Sequence, residues 1–365
     1  MKKKLLLIFL SLKLLYIIQS LFSPYPNYNR MNTDCLENYF LQVYSNNDSG
    51  WYEKIAANGY PNTNDINNKE SADYAFFPVY PITGKLISNL FKIKPRLSLL
   101  LLTTVASFLM MITFYYFATE YLGNENKAFW CSLVLIFFPH HFYFSMIYTE
   151  SFFVFFSVLC FYSILSKKNI LFMIASSLLV LTRINGVIYI IPLLIFYNRD
   201  NIKKWFVISR YYIFIPMIIS LTSYLIILKL KFGSFFAFKI ASENNWAGNP
   251  QNPFNALIRG VTESGDHLYL KYNAIYSIVF LLLSILFLVK KQYSFFILSI
   301  LSILFPLYEG STISQPRFIS VIFPFSLLIG SFVYSFRYRL PLIIGILLMQ
   351  LLTFGFWIIT HPLSF

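Results

Sequence analysis

The chain has 365 residues, of which 57% are hydrophobic, 20% aromatic and only 12% charged, and its mean hydropathy is +0.62. Soluble globular domains carry about 25% charged residues and disordered chains combine low hydrophobicity with high charge, so this composition excludes both classes. A polytopic membrane protein remains. The formal net charge is nonetheless +14, so the location of the excess basic residues should indicate how the chain is oriented.

The first predicted element is a membrane helix over residues 4–22. Three lysines precede an apolar run that ends at Phe22, and no small-residue cleavage pattern follows it. The pattern predicts an uncleaved membrane anchor. Lys13 lies in the middle of this run. It either faces the interior of a helix bundle or extends its ammonium group to the membrane surface.

Further apolar runs predict a bundle of about eleven membrane helices in all. A span takes about 20 apolar residues, and the clear candidates after the first are 97–119, 143–166, 211–230, 273–289, 292–308, 317–334 and 340–359. Shorter runs that adjoin polar breaks are 128–138, 170–181 and 184–197. Irregular backbone at membrane depth is tolerated where it lines protein or a water-filled cavity, so we expect these breaks to form a funnel. The sequence thus predicts an all-α polytopic protein with one membrane domain over residues 1–365.

Two long polar loops, 23–96 and 231–272, lie on the outer side when the N-terminus is cytoplasmic. Residues 76–92 are then an interfacial or re-entrant segment, because a crossing there would turn the basic loops outward. Basic residues concentrate in the short inner loops, whereas the short outer turns hold Arg183 and Arg317, as the positive-inside rule requires. The inner set is Lys127, Lys167, Lys168, Arg199, Lys203, Lys204, Arg210, Lys290, Lys291, Arg337 and Arg339.

This topology collects the unusual polar residues at one membrane face. Ionisable groups at the edge of a membrane are costly, so they mark candidate functional sites. A mixture of carboxylates, arginines and aromatic residues on one face is typical of an active site. The residues concerned are Asp48, Glu150, Arg183, Asn185, Trp246, Glu309, Gln315 and Arg317.

Two of these carboxylates have alternative structural explanations. Residues 50–58 form a plausible helix, so Asp48 either caps its N-terminus or acts as a general base at the membrane surface. Glu150 is either a second catalytic carboxylate or the partner of an ion pair with Arg183. The aromatic residues Trp51 and Trp246 either stack on substrate or anchor the chain at the interface.

Five ordered segments resemble the PIG-V-type mannosyltransferase family. The first is Asp48-Ser49-Gly50-Trp51-Tyr52 with Ala75-Phe76-Phe77-Pro78-Val79-Tyr80-Pro81, and the others are Phe138-Pro139 to Glu150-Ser151, Thr182-Arg183-Ile184-Asn185-Gly186, Phe235 to Trp246, and Pro316-Arg317-Phe318 with Phe323-Pro324. Each motif alone is weak, but together they run in order from residue 48 to residue 324. The lean loops are typical of a bacterial or archaeal relative.

The resemblance implies a GT-C glycosyltransferase that moves a monosaccharide, with mannose favoured, from a polyprenyl-phosphate donor to a lipid- or glycan-linked acceptor. Such enzymes act by one inverting displacement outside the cytoplasm, and Asp48 matches the position of their base. Glu150 is the second expected catalytic residue. Arg183 and Arg317 would contact the phosphate. The remaining residues expected to bind substrate are Trp51, Tyr52, Tyr148, Asn185, Trp246 and Gln315.

No cofactor beyond the donor substrate is expected. His140 and His141 are adjacent and point apart, which disfavours a shared metal, although dependence on a divalent metal stays open. The sequence has neither a P-loop nor a GxGxxG motif, and nothing indicates binding of nucleic acid. The cysteines have no spacing typical of a disulfide framework, so we expect buried thiols at Cys131 and Cys160.

Two other functions compete with the transferase. One is a transporter or flippase for lipids or lipid-linked sugars, although the sequence lacks the paired halves of many such folds. The other is a non-catalytic subunit of a glycosylation complex. In each case we expect a multi-pass protein, in a prokaryotic cytoplasmic membrane with an outward site or in an endoplasmic reticulum membrane with a lumenal site. The oligomeric state is open.

Overall fold

A computed structural model describes residues 1–22, 41–199, 205–246, 250–263, 265 and 267–364. The side chains of Lys69, Glu70 and Trp246 are outside this description. Three parts of the sequence predictions also lie outside it: the first outer loop up to residue 40 with Cys35, the inner residues Lys203 and Lys204, and residues 247–249 of the second outer loop.

The described chain is helical and contains no strand. Five 3₁₀ helices interrupt or connect the α-helices, and they are Lys69–Ala75, His141–Ser145, Ile184–Tyr189, Ile208–Phe214 and Pro362–Ser364. The α-helices of the described residues are, in order, α1 Lys2–Phe22, α2 Ser49–Asn58, α3 Val79–Phe91, α4 Pro95–Leu122, α5 Glu125–Phe137, α6 Glu150–Leu165, α7 Asn169–Val180, α8 Ile190–Tyr197, α9 Ile215–Phe232, α10 Ala237–Trp246, α11 Pro253–Thr262, α12 Leu268–Val289, α13 Tyr293–Leu307, α14 Gln315–Ser320, α15 Pro324–Ser335 and α16 Arg339–Ile358.

The predicted all-α polytopic membrane fold is confirmed. Within the described residues, five helical segments are long and apolar enough to cross a membrane: α1, α4, Ile208–Phe232 with α9, α12 and α16. Every other predicted apolar run also coincides with helix, but in shorter pieces. Whether all eleven runs cross the membrane stays a prediction, because length and composition alone support the five.

Two predicted spans are broken by irregular backbone. The run 143–166 begins as the 3₁₀ helix His141–Ser145 and becomes α-helical at Glu150, and the run 317–334 divides into α14 and α15. Pro324 at the start of α15 has no backbone N–H to continue a hydrogen-bonded helix from α14. Uninterrupted hydrophobicity predicted the position of these runs correctly but missed the breaks inside them.

The segment 76–92 contains α3, which has 13 residues. A helix of this length is shorter than the roughly 20 residues needed to cross the hydrocarbon core. It buries Tyr80 and Gly84 on one face and exposes Leu86 and Leu90 on the other. An amphipathic helix of this kind suits the membrane interface, so the interfacial assignment stays the preferred prediction.

The centre of the bundle is packed with aromatic rings. Five phenylalanines from α4, α6, α8, α13 and the α14–α15 connection contact one another at ring-centroid distances between 4.9 and 6.5 Å. Aromatic pairs of this kind add about 0.5–1.5 kcal/mol each beyond the burial of their surface. This cluster accounts for part of the high aromatic content, and it consists of Phe117, Phe161, Phe196, Phe295 and Phe323.

Three interior contacts bear on residues of the apolar runs: Gly330, the two buried cysteines and Lys13. Gly330 on α15 lies so near α5 that a Cβ atom there would be 2.3 Å from the Cα of Cys131, and the thiols of Cys131 and Cys160 are buried as expected. Lys13 faces the interior of the bundle, where its Nζ donates a hydrogen bond of 2.6 Å to the Ser145 hydroxyl.

Candidate active site

Asp48 stands directly before α2 at the N-cap position. Its side chain makes no capping hydrogen bond to the helix. The carboxylate Oδ2 instead accepts a 2.9 Å hydrogen bond from Nη1 of Arg317, and 28% of the side chain is exposed. The capping role is therefore not observed, and the carboxylate is directed to a residue 269 positions later in the chain.

Glu150 joins this pair to a second arginine. Its Oε1 lies 2.6 Å from Nη1 of Arg183 and 3.5 Å from Nε of Arg317, and the side chain is fully buried. The expected ion pair between Glu150 and Arg183 is thus present. Two carboxylates and two guanidinium groups form one continuous cluster with no net formal charge, which we call the central ion cluster (Asp48, Glu150, Arg183 and Arg317).

The polar break after α7 brings Arg183 into the central ion cluster. Arg183 has an extended backbone between α7 and the 3₁₀ helix Ile184–Tyr189. The chain returns so tightly that a Cβ atom on Gly186 would lie 2.7 Å from the Leu179 carbonyl oxygen. Only glycine fits this contact without displacement of the backbone, so the break is a built feature of the fold.

Arg317 lies in the short helix α14, next to aromatic rings. Its guanidinium carbon is 5.2 Å from the ring centroid of Tyr148 and 5.1 Å from that of Phe318. Among the described residues the Nε of Arg317 makes no hydrogen bond, although Oε1 of Glu150 lies 3.5 Å from it.

Tyr148 holds the backbone that carries Asp48. Its hydroxyl donates to the carbonyl oxygen of Asn46 at 3.0 Å and accepts from the backbone N–H of Asp48 at 3.2 Å. The ring is almost fully buried. Both contacts engage the hydroxyl with protein, which makes Tyr148 a support of the Asp48 turn in this structure; its predicted contact with substrate stays a prediction.

Two aromatic residues of α2 flank the same region. Tyr52 is buried, with its hydroxyl 3.4 Å from that of Thr149 and its ring edge-on to Phe76. Trp51 is half-buried and stacks on Phe76 at a centroid distance of 5.9 Å. The Nζ of Lys54 lies 5.4 Å from the centroid of the Trp51 ring. Because Trp51 is only half-buried, part of its side chain remains accessible to solvent or to a ligand.

Three other residues that the sequence predicts to bind substrate are outside the central ion cluster. Gln315 is buried in α14, and its Oε1 lies 3.5 Å from the Ser277 hydroxyl on α12. Asn185 is half-buried in the turn after Arg183 and makes no side-chain hydrogen bond to a described residue. Trp246 ends α10, and its side chain is outside the description.

The adjacent histidines are buried and have separate partners. Nε2 of His140 lies 2.9 Å from the Tyr272 hydroxyl, while Nδ1 of His141 lies 2.6 Å from the Leu135 carbonyl oxygen. In the part of the chain that the structure describes, no three His, Cys, Asp or Glu side chains form a group that could hold a metal ion.

Trp357 is a site residue that sequence analysis missed. It is fully buried in α16, and its indole Nε1 donates a 2.8 Å hydrogen bond to the Val43 carbonyl oxygen. Its ring packs against Tyr143 and Tyr148. In the sequence Trp357 falls within the apolar run 340–359, and no motif spacing links it to Asp48.

An apolar groove of about 700 Å³ opens between α12 and α16. Phe138 and Pro139 form part of its wall together with Tyr272, Tyr276 and Met349. The chain continues from this wall into the 3₁₀ helix His141–Ser145, which contains Tyr143 next to Arg317. The groove and the central ion cluster are thus connected by one short segment.

The architecture is similar to that of two solved membrane enzymes. One is ArnT from Cupriavidus metallidurans, in a structure bound to undecaprenyl phosphate, with 12% identity, a TM-score of 0.55, and coverage of 94% of this chain and 62% of that one. The other is the oligosaccharyltransferase of Archaeoglobus fulgidus in its apo form, with 12% identity, a TM-score of 0.53, and coverage of 98% and 56%.

The protein has the GT-C fold. This chain spans less than two thirds of the length of either structure, and at this level of identity the likeness concerns the fold. No protein-family model matches the sequence, and no curated protein matches it by sequence. The PIG-V-type resemblance therefore stays a prediction.

Proposed function

We propose that the protein is an inverting glycosyltransferase that takes a monosaccharide from a polyprenyl-phosphate donor. The observation that carries this proposal is the central ion cluster, in which a partly exposed carboxylate and two arginines meet in a GT-C fold. The reaction needs a base for the acceptor and cations for the departing phosphate. The cluster contains both kinds of group.

In the proposed reaction, the acceptor hydroxyl oxygen attacks the anomeric carbon of the sugar from the face opposite the phosphate. The new C–O bond forms while the bond from the anomeric carbon to the phosphate oxygen breaks, and the bonding electron pair leaves with the phosphate. The acceptor proton passes to the Asp48 carboxylate. A single displacement of this kind inverts the anomeric configuration.

Arg317 would link the two ends of this reaction. When Asp48 accepts the proton it loses its charge, and the 2.9 Å ion pair with Arg317 weakens. At the same moment the leaving phosphate gains a negative charge, which a guanidinium group can bind through two parallel hydrogen bonds. Arg183 would contact the phosphate as a second cation. Glu150 contacts both arginines and would keep them oriented.

The apolar groove between α12 and α16 suits the prenyl chain of the donor. Trp51 would stack on the sugar or the acceptor with its accessible ring surface. By resemblance to the PIG-V-type family, mannose is the first sugar to test and the reaction takes place outside the cytoplasm of a prokaryotic cell. The acceptor is a lipid- or glycan-linked hydroxyl group.

The test is to incubate the purified protein with a panel of polyprenyl-phosphate sugars and cell lipids, and to identify products by mass spectrometry. We expect a glycosylated product with inverted anomeric configuration from the wild type and at least about 100-fold less from Asp48→Asn. Asp65→Asn, an exposed carboxylate change in the same outer loop, is the matched control and should retain activity. Movement of lipid across liposomes without any covalent product would instead identify a transporter.

A further inference from the structure

A second ion pair lies on α2, five residues beyond Asp48. Oε2 of Glu53 accepts a 2.8 Å hydrogen bond from Nε of Arg96 at the start of α4. The other oxygen of Glu53 accepts from the Ser45 hydroxyl. Nη1 of Arg96 donates to the Gln42 side chain at 3.2 Å. These four residues (Gln42, Ser45, Glu53 and Arg96) form what we call the loop clamp.

The loop clamp acts on the segment that carries Asp48. Residues 44–48 have no regular helix, and α2 begins only at Ser49. The segment is also fixed through its backbone, because the Ile147 N–H donates to the Tyr44 carbonyl oxygen at 2.9 Å. The clamp adds side-chain contacts: Ser45 lies on the segment and Gln42 in the helical residues just before it, while Glu53 lies on α2 and Arg96 on α4.

The clamp differs from an ordinary surface ion pair. Exposed pairs contribute little to stability because water and salt screen them. Here only 16% of the Glu53 side chain and 32% of the Arg96 side chain are exposed. Each of the two charged groups also holds a second polar partner. A change at Glu53 therefore removes a contact with the Asp48 segment as well as the charge pair, and a change at Arg96 removes the contact with Gln42 just before that segment.

We propose that Glu53 and Arg96 are positioning residues that keep the Asp48 carboxylate in its reactive place. This inference rests on the proposed role of Asp48 as general base. Neither residue forms an ion pair with Arg183 or Arg317, so the donor phosphate keeps its cations when the clamp is broken. A misplacement of about 1 Å in a reacting group can reduce the rate about 100-fold, and the effect should fall on kcat.

The experiment measures kcat and the donor KM for Glu53→Gln, Arg96→Met and Arg96→Lys in the full-length protein. We expect kcat to fall about 10- to 100-fold, in line with a shifted catalytic group, with the donor KM within about twofold of wild type. The exchanged pair Glu53→Arg with Arg96→Glu should recover part of the lost kcat, because the ion pair is restored. A purely structural role would lower the amount of folded protein and leave kcat per folded molecule unchanged.

Glu120→Gln is the matched control. Glu120 lies at the far end of α4 from Arg96 and accepts a 2.8 Å hydrogen bond from the Ser166 hydroxyl, so it is a polar contact of the same helix without a link to Asp48. Its variant should have wild-type kcat. Should Arg96→Met fail to fold, Arg96→Lys decides the matter, because it keeps the charge but not the planar fork that reaches both Glu53 and Gln42.

The outcomes separate this inference from the proposed function. Inactive Asp48→Asn together with wild-type kcat in both Arg96 variants would overturn the loop clamp and leave the base assignment standing. Full activity of Asp48→Asn would remove the base assignment and with it the reason for the clamp. Equal changes in kcat and KM, without recovery in the exchanged pair, would also contradict a positioning role.

Discussion

The central ion cluster and the loop clamp both pair carboxylates with arginines near α2, but they differ in burial and in what they connect. The central ion cluster joins Asp48 to Arg317 across 269 positions and includes a fully buried glutamate. The loop clamp joins Glu53 to Arg96 across 43 positions and is partly exposed. One group brings charges together among aromatic rings, and the other connects α2 and α4 to the chain before α2. We expect these different surroundings to give the two carboxylates different roles.

The largest expected difference between the two groups is in catalysis. Asp48→Asn should lower kcat about 100- to 10,000-fold, the usual contribution of a general base, whereas Glu53→Gln should lower it less. Both variants are measured under saturating donor with the same acceptor. A greater loss in Glu53→Gln than in Asp48→Asn would reverse the assignment of the two carboxylates.

The second largest expected difference between the central ion cluster and the loop clamp is in thermal stability. Glu150→Ala leaves Arg183 buried without its carboxylate, and loss of one partner from a buried pair costs about 3–5 kcal/mol. Glu53→Ala should cost less, about 2 kcal/mol, because it removes two hydrogen bonds from a carboxylate that is partly exposed. The apparent unfolding temperature in one detergent, compared with that of wild type, measures both. Equal shifts would show that burial does not distinguish the groups.

Substrate binding should respond to the central ion cluster alone. Arg183→Lys keeps one charge beside Glu150 but loses the planar fork, so we expect the donor KM to rise about tenfold. Arg96→Lys is the counterpart in the loop clamp and should leave the donor KM near wild type. A donor KM that rises equally in both variants would contradict the separation of binding from positioning.

The smallest expected effect concerns the backbone support of the Asp48 segment. Trp357→Phe keeps an aromatic ring in the core but removes the hydrogen bond to the Val43 carbonyl oxygen. A hydrogen bond of this kind is worth about 1 kcal/mol, so kcat should fall only a few-fold. Hydrogen exchange at residues 43–48, read by mass spectrometry, should rise in the variant. Unchanged exchange would place the support elsewhere.

Much of the fold follows from local sequence. Uninterrupted apolar runs predicted where the helices lie, because backbone polar groups inside a membrane must be satisfied within a helix. The same cost of burying charge drew attention to Asp48, Glu150, Arg183 and Arg317, which the structure brings into one cluster. Their predicted catalytic and binding roles await the experiments above.

The pairing within the site could not be read from sequence. Nothing local indicates that Asp48 meets Arg317, since α14 reaches that place only through the packing of the whole bundle. Glu53 and Arg96 both fall in the predicted outer loop 23–96, and their contact depends on how α2 lies on α4. The hydroxyl of Tyr148 likewise has its two backbone partners 100 and 102 positions earlier in the chain.

The hydrogen bond between Lys13 and Ser145 connects α1 to the 3₁₀ helix His141–Ser145 inside the bundle. Ser145 closes the 3₁₀ helix that also contains Tyr143, a ring that packs against Tyr148. An exchange of α1 for a generic secretion leader would remove a cation from the interior and a fixed end from this turn. For protein production, affinity tags therefore belong outside α1, and its sequence should be kept intact.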